Sequence, residues 1–214
     1  GKMLEIAHGV ANSPYAVWSP PVWSPEAFGL SVAAGLSFVI LRGWGKAVAL
    51  LPLIAGLWLS FQAVTPDIIV ASSGKLMAIK DENGDLALSS RVADKFSAEI
   101  WQRRNGQAAD APPVKWRDVE GMHCDYSGCR IERNGQRIAF VFHPAAHGED
   151  CGWADILIAD DPVIVKPCRA ASVIDRFDLW RNGAYALWLE GQGVRVQSVA
   201  DTRGVRPWTS THRR

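Results

Sequence analysis

Two stretches near the N-terminus carry no charged side chain: "AFGLSVAAGLSFVIL" over residues 27–41 and "AVALLPLIAGLWLSFQAV" over residues 47–64. They restrict the fold more tightly than anything else in the chain, because an uncharged apolar run of about 20 residues has the length of a bilayer-spanning helix. The linker "RGWGK" between them leaves room only for a tight turn. Trp23 and Phe28 stand at one end of the first run and Trp44 at the other, as aromatic rings do at membrane interfaces. Pro52 removes one helical hydrogen bond, a loss that neighbouring helices offset inside a membrane. Gly29, Ser31, Ala33, Gly35 and Ser37 give small-residue surface for close helix packing. The pattern predicts a transmembrane α-helical hairpin within residues 26–64, its helices at about 27–41 and 47–64. The alternative is a buried helical hairpin of a soluble domain.

Charge sets the expected orientation. Arg42 and Lys46 lie in the connecting turn, and short loops rich in Lys and Arg stay cytoplasmic. Both flanks then face outward, and in a bacterium residues 66–214 stand in the periplasm, an oxidising compartment. Residues 1–25 lack the zones of a signal peptide and read as the interior of a longer protein. Within them Leu4, Ile6, Ala7, Val10 and Ala11 share a helical face, which suits either a short interfacial helix or a loop ordered by its prolines.

The formal net charge of +1 averages an apolar first third with a charged remainder. Beyond Pro66 acids and bases nearly balance, so the basic footprint of a nucleic-acid-binding domain is missing. Only the end, "RGVRPWTSTHRR", is basic. Arg203, Arg206, Trp208, Arg213 and Arg214 are its candidate contacts for DNA phosphate or another part of an assembly, against a solvated terminus as the alternative.

Residues 66–214 read as a mixed α/β (α+β) domain, long enough to bury its own core. "KLMAIKDENGDLALS" and "CRIERNGQRIAFVF" each place two β-rich runs around Asn-Gly, the strongest short hairpin signal. Between them, Val92, Phe96, Ile100 and Trp101 fall near helical spacing with Asn105-Gly106 as a stop. "ADILIAD" and "ASVID" are strands of the buried type, "DRFDLWRNG" a short helix with Asp175 as its N-cap, and "AYALWLEGQGVRVQSVA" a closing hairpin. "RNG", which begins at 104, 133 and 181, is recurrent turn chemistry rather than a repeat.

Four cysteines allow three fully paired arrangements. Zinc on Cys124, Cys129 and His123 would lack the usual two-residue spacer. In an oxidising compartment disulfides are expected instead. "CDYSGC" can turn so that Cys124 meets Cys129. Cys151 and Cys168 stand at similar distances before "ILIA" and "SVI"; if these are neighbouring parallel strands, the two cysteines share an edge.

Candidate chemistry is sparse. In "HPAAHGEDC", His143 and His147 are four apart, with Asp150 following, and would share a helical face as metal ligands. Pro144 and Gly148 limit that helix, and histidines capping a loop are the competing reading. Asp155, Asp160, Asp161, Asp175 and Asp178 end strands or cap helices more readily than they bind metal. Of the ten tryptophans, Trp18, Trp23, Trp44 and Trp58 are explained by the membrane, and Trp101, Trp153, Trp180 and Trp188 fit apolar patterns and are expected in the core, which leaves Trp116 and Trp208.

"TPDIIVASSGKLMAIKDENGDLALSS", "CDYSGCRI", "EDCGWADILIAD", "VIDRFDLWRNGAYAL" and "RPW" together resemble the C-terminal portion of the ComEC family of competence proteins in its alphaproteobacterial form. The resemblance covers most of the chain beyond about residue 26. It implies a fragment of a bacterial inner-membrane channel for single-stranded DNA uptake in natural transformation. The implied partners are the single strand, the remainder of the membrane bundle, membrane lipid and a second copy of the chain. Many relatives end in a metallo-β-lactamase-like nuclease domain, and the order "RIAFVF", "ADILIAD", "ASVID" is similar to its second half. The zinc signature H-x-H-x-D-H is missing, however, so the resemblance implies a degenerate, noncatalytic version without a cofactor. A zinc-dependent DNA hydrolase built on His143, His147 and Asp150 is the alternative.

Overall fold

The computed structural model describes residues 2–11, 24–62, 64–90, 92–107, 114–191 and 193–204. The chain forms two compact units, Gly1–Thr65 and Pro66–Arg214. The first contains helices α1 (Lys2–Ala11), α2 (Pro25–Ile40), α3 (Gly45–Val48) and α4 (Leu50–Phe61). Of the two readings of the N-terminus, helix or proline-ordered loop, residues 2–11 take the helix, with all its side chains exposed.

The transmembrane hairpin is corrected by the lengths of α2 and α4. No helix among the described residues is long and apolar enough to cross a membrane. At 1.5 Å per residue, the 16 residues of α2 rise about 24 Å and the 12 of α4 about 18 Å, against a hydrocarbon core of about 30 Å. The cause is in the sequence. Ser24 caps α2 by accepting from the Ala27 N–H (3.2 Å), Pro25 occupies its first turn, and Gly43 turns the chain at φ +65° soon after its end. The second run divides near Ala49, because Pro52 has no N–H for the carbonyl four residues earlier and its ring crowds that carbonyl. The two helices do pack together. A Cβ on Gly56 would lie 2.9 Å from the Ala27 carbonyl oxygen and 3.0 Å from Ser31 Oγ, so only glycine admits this approach. Ala34 and Ser60 are buried, while Leu36, Val39, Ile54, Trp58 and Phe61 are exposed.

The second unit is α+β, with two five-stranded sheets. Its strands are β1 (Ile68–Val70), β2 (Met77–Lys80), β3 (Leu86–Leu88), β4 (His123–Cys124), β5 (Gly128–Arg133), β6 (Gln136–Val141), β7 (Ile156–Ala159), β8 (Ser172–Ile174), β9 (Tyr185–Glu190) and β10 (Gly193–Ser198). Its helices are α5 (Lys95–Arg104), α6 (His147–Trp153), α7 (Arg176–Asn182) and α8 (Val199–Arg203). One sheet runs β10-β9-β1-β2-β3, all antiparallel. The other runs β4-β5-β6-β7-β8, where β6, β7 and β8 are parallel.

Strand alternation explains the layers. Ile68, Val70, Met77, Ile79 and Leu187 from the first sheet meet Ile138, Phe140, Ile156 and Ile158 from the second in one core. The intervening residues face outward. Ala78 and Leu86 pack with Ala98 of α5, while Ala139, Val141 and Leu157 pack with Cys151 of α6. The order is helix, sheet, sheet, helix. Asn134 and Gly135, both at positive φ, make the two-residue turn of β5–β6. Asn134 Nδ2 also donates to the Leu189 carbonyl (3.0 Å), tying that turn to the opposite sheet.

Candidate functional site

Parallel strands open a crevice at their carboxyl ends, and here β7 delivers Asp160 and Asp161 and β8 delivers Asp175. The turn between β1 and β2 closes over Asp160. Gly74 sits there at φ +71°, and a Cβ on it would lie 3.3 Å from Asp160 Cα and 3.3 Å from Leu179 Cδ1. Asp160 Oδ1 and the Nε2 of His147, a residue only 2% exposed, are buried without hydrogen-bond partners among the described residues. Burial pushes the Asp160 carboxyl up, neighbouring Asp161 adds to this, and the charges of His147 and Lys75 oppose it. A buried acceptor and ring nitrogen left unsatisfied weaken the fold.

This arrangement gives a signed expectation. The folded Asp160 binds its proton more tightly than the unfolded chain, whose reference value is 3.8, so stability falls as pH rises from there through the raised folded value. Asp160→Asn removes the charge, and the melting temperature at pH 7 should rise by about 1–2 °C, a modest gain because solvent screens the site. The gain should vanish below pH 4, where the carboxyl is neutral in both states. A lower melting temperature at pH 7 would mean that the ionised carboxylate is held by a favourable partner.

The sequence candidates separate. His143 is exposed and caps the short 3₁₀ turn Pro144–Ala146, its Nδ1 accepting from the Ala145 N–H at 3.2 Å. His147 is turned inward. Asp150 is buried and accepts from Arg130 Nε at 2.6 Å, while Arg130 Nη2 meets Glu149 Oε1 at 2.9 Å and its guanidinium lies 5.3 Å from the Trp153 ring centre. Among the described residues no group of three or more His, Cys, Asp or Glu side chains could hold a metal ion. Asp155 is clamped by Arg137 (2.8 and 3.1 Å), which holds its carboxyl below the usual range. Asp175 and Asp178 form a capping box at the start of α7, and burial pushes the Asp178 carboxyl up.

All four cysteines are bridged, Cys124 to Cys129 and Cys151 to Cys168. In the first pair the cysteines stand opposite each other on β4 and β5, across a turn built by Asp125, whose Oδ1 accepts from the N–H groups of Ser127 (2.7 Å) and Gly128 (2.9 Å). Both sulfurs are thereby withdrawn from His123 as metal ligands. The second bridge joins α6 to the segment before β8, and β7 and β8 are parallel as that pairing requires. A cleft of about 390 Å³ opens beside the first bridge. Its walls include Arg130, Glu149 and Asp150, which already pair with one another.

Arg203 is exposed at the end of α8, and Arg206, Trp208, Arg213 and Arg214 lie outside the described residues. Trp116, left unassigned by its sequence pattern, lies in the core, and Trp180, expected there, does not. Trp116 is buried, edge-on to Phe140 at 4.6 Å between ring centres, and Trp180 is exposed. The signal for Trp180 was its spacing: it lies four residues after Arg176 on a helix whose inward residue is Leu179.

No family model, no curated protein and no solved structure matches the chain. The second unit stands as an α+β domain of two sheets, and none of these comparisons supports the metallo-β-lactamase-like fold that the resemblance implied.

Proposed function

We propose that the chain is the terminal portion of a ComEC-like protein that passes single-stranded DNA across the bacterial inner membrane, with residues 66–214 as a noncatalytic docking module on the periplasmic side. The pair of disulfides carries this reading, since such bridges persist in oxidising compartments and are rare in the cytosol. A docking role is favoured over hydrolysis because Asp150, the one carboxylate in the histidine-containing motif that is buried, is already committed to Arg130. The exposed Leu36, Val39, Ile54 and Trp58 suit packing against an apolar partner surface. A second copy of the chain and lipid around the channel complete the set of partners.

The test is genetic and chemical together. Deleting the codons for residues 66–214 in the source bacterium should reduce transformation by homologous DNA to the detection limit, and purified protein should leave DNA intact with zinc added. Undiminished transformation would sink the uptake reading. Zinc-dependent cleavage lost in His143→Ala would replace docking with hydrolysis.

A further inference from the structure

Beside β3 and the β4–β5 turn lies a cavity of about 590 Å³, within the range of about 300–1,000 Å³ typical of small-molecule sites. Three segments of the second unit converge to make it. The chain from Val114 to Arg117 runs along the end of β3, where the Leu88 N–H donates to the Val114 carbonyl (3.4 Å) and Lys115 pairs parallel with Leu88. The turn after β4 brings Asp125 and Tyr126, and Phe142 follows β6. Leu88, Val114, Trp116 and Phe142 give the cavity an apolar wall. Tyr126 adds an aromatic face that is 85% exposed even with the His143 ring 6.3 Å away.

The polar groups around this wall are donors in want of acceptors. Lys115 and Arg117 are exposed, and neither side chain has an ion-pair or hydrogen-bond partner among the described residues. Ser89 Oγ accepts from the Met77 N–H (3.0 Å) and Ser90 Oγ from those of Val92 (3.3 Å) and Ala93 (3.2 Å), yet neither hydroxyl donates to an acceptor among the described residues. The indole N–H of Trp116 is buried there without an acceptor as well. The carboxylate in the lining, Asp125, is engaged by its own turn, where Oδ1 accepts from the N–H groups of Ser127 (2.7 Å) and Gly128 (2.9 Å) and from the Ser127 hydroxyl (2.7 Å).

We propose that this cavity binds a small aromatic monocarboxylate, its ring against Tyr126 and Phe142 and its carboxylate between Lys115 and Arg117. An anion supplies the acceptors that the lining lacks, and a hydrogen bond between ionised partners is about twice as strong as a neutral one. Charge fixes the valence. Two unpaired cations against one engaged carboxylate leave the lining one positive charge in excess, which a monoanion balances and a cation would oppose. The apolar wall requires an apolar body, because release of water from Leu88, Val114 and Phe142 is what drives entry. The assignment rests on these residues alone and is independent of the uptake reading above.

Ligand-observed NMR titrations of the full chain, bridges intact, with 3-phenylpropionate and its neutral isostere 3-phenylpropanamide test this. The acid should bind saturably with a dissociation constant of about 1 mM or below, and the amide about tenfold more weakly. Arg117→Gln should weaken binding of the acid about fivefold, and adding Lys115→Gln should bring it to the level of the amide. Both side chains are exposed, so the urea midpoint of the double variant should stay that of the parent chain. Tyr126→Ala should weaken acid and amide alike, by about threefold. Equal affinity for the two probes, or absence of saturable binding, would overturn the proposal. Binding of the acid that is unchanged in the double variant would overturn it too, and would place the probe on the exposed apolar helices of the first unit.

Discussion

Phe140→Ala is expected to cost the 66–214 unit about 4 kcal/mol, seen as a lower urea midpoint with an unchanged slope. Phe140 is fully buried on β6, opposite Cys129 of β5 and Ile158 of β7, so neighbouring strands hold it on both sides. Above it Trp116 makes an edge contact at 79° between ring planes, a geometry that contributes about 0.5–1.5 kcal/mol beyond burial. Truncation leaves a cavity that two hydrogen-bonded sheets cannot collapse to fill. Phe96→Ala on exposed α5 is the matched control and should shift stability by less than about 0.5 kcal/mol, since Phe96 is mostly solvent-facing. Similar losses for the two variants would refute the placement of the core between the sheets.

That contrast marks what the sequence revealed. Asn-Gly at 134–135 placed the β5–β6 hairpin, because positive φ at both residues of a two-residue turn is a local steric requirement that few residue types meet, and at 83–84 it marked the longer β2–β3 loop, where Gly84 alone takes positive φ. The matched spacing of cysteine and apolar run pointed to the Cys151–Cys168 bridge only on condition that the two runs are neighbouring parallel strands, and β7 and β8 meet that condition. The burial side of α5 did not. Val92, Phe96, Ile100 and Trp101 pointed to one apolar face, yet Ala98 and Gln102 are the buried residues, because the small Ala98 lets the helix settle on Leu86 and Leu88 of the sheet. A periodicity reports where apolar residues recur but not which neighbour arrives. β1 went unread as a strand because "IIV" gains its partners, β2 and β9, from opposite ends of the domain. The hairpin of the first unit failed on length. Absence of charge was visible, but the break that Pro52 imposes near Ala49 was weighed as a tolerable defect within one helix. His147, on the crossover between parallel β6 and β7, acts electrostatically on Asp160, an influence that no local spacing encodes.

Replacing both Cys151 and Cys168 by serine is expected to destabilise the second unit by about 3 kcal/mol, against about 2 kcal/mol for the Cys124–Cys129 pair. Chain entropy sets the order, because Cys151–Cys168 closes a sequence separation of 17 and Cys124–Cys129 only 5. Local structure pushes the same way. Cys124 and Cys129 are already adjacent through β4 and β5, so their bond constrains little that the ladder does not. Cys151 and Cys168 instead fasten α6 to a segment without regular structure, whose Val163, Val165 and Ala170 pack on the outer face of the second sheet. Loss of this bond frees both that segment and the helix carrying His147 and Asp150, so the Asp160 crevice should loosen with it. Urea midpoints of the two double-serine variants, measured without reductant, test the order. A larger loss from the Cys124–Cys129 pair would mean that the β4–β5 hairpin, rather than the α6 attachment, holds the second sheet together.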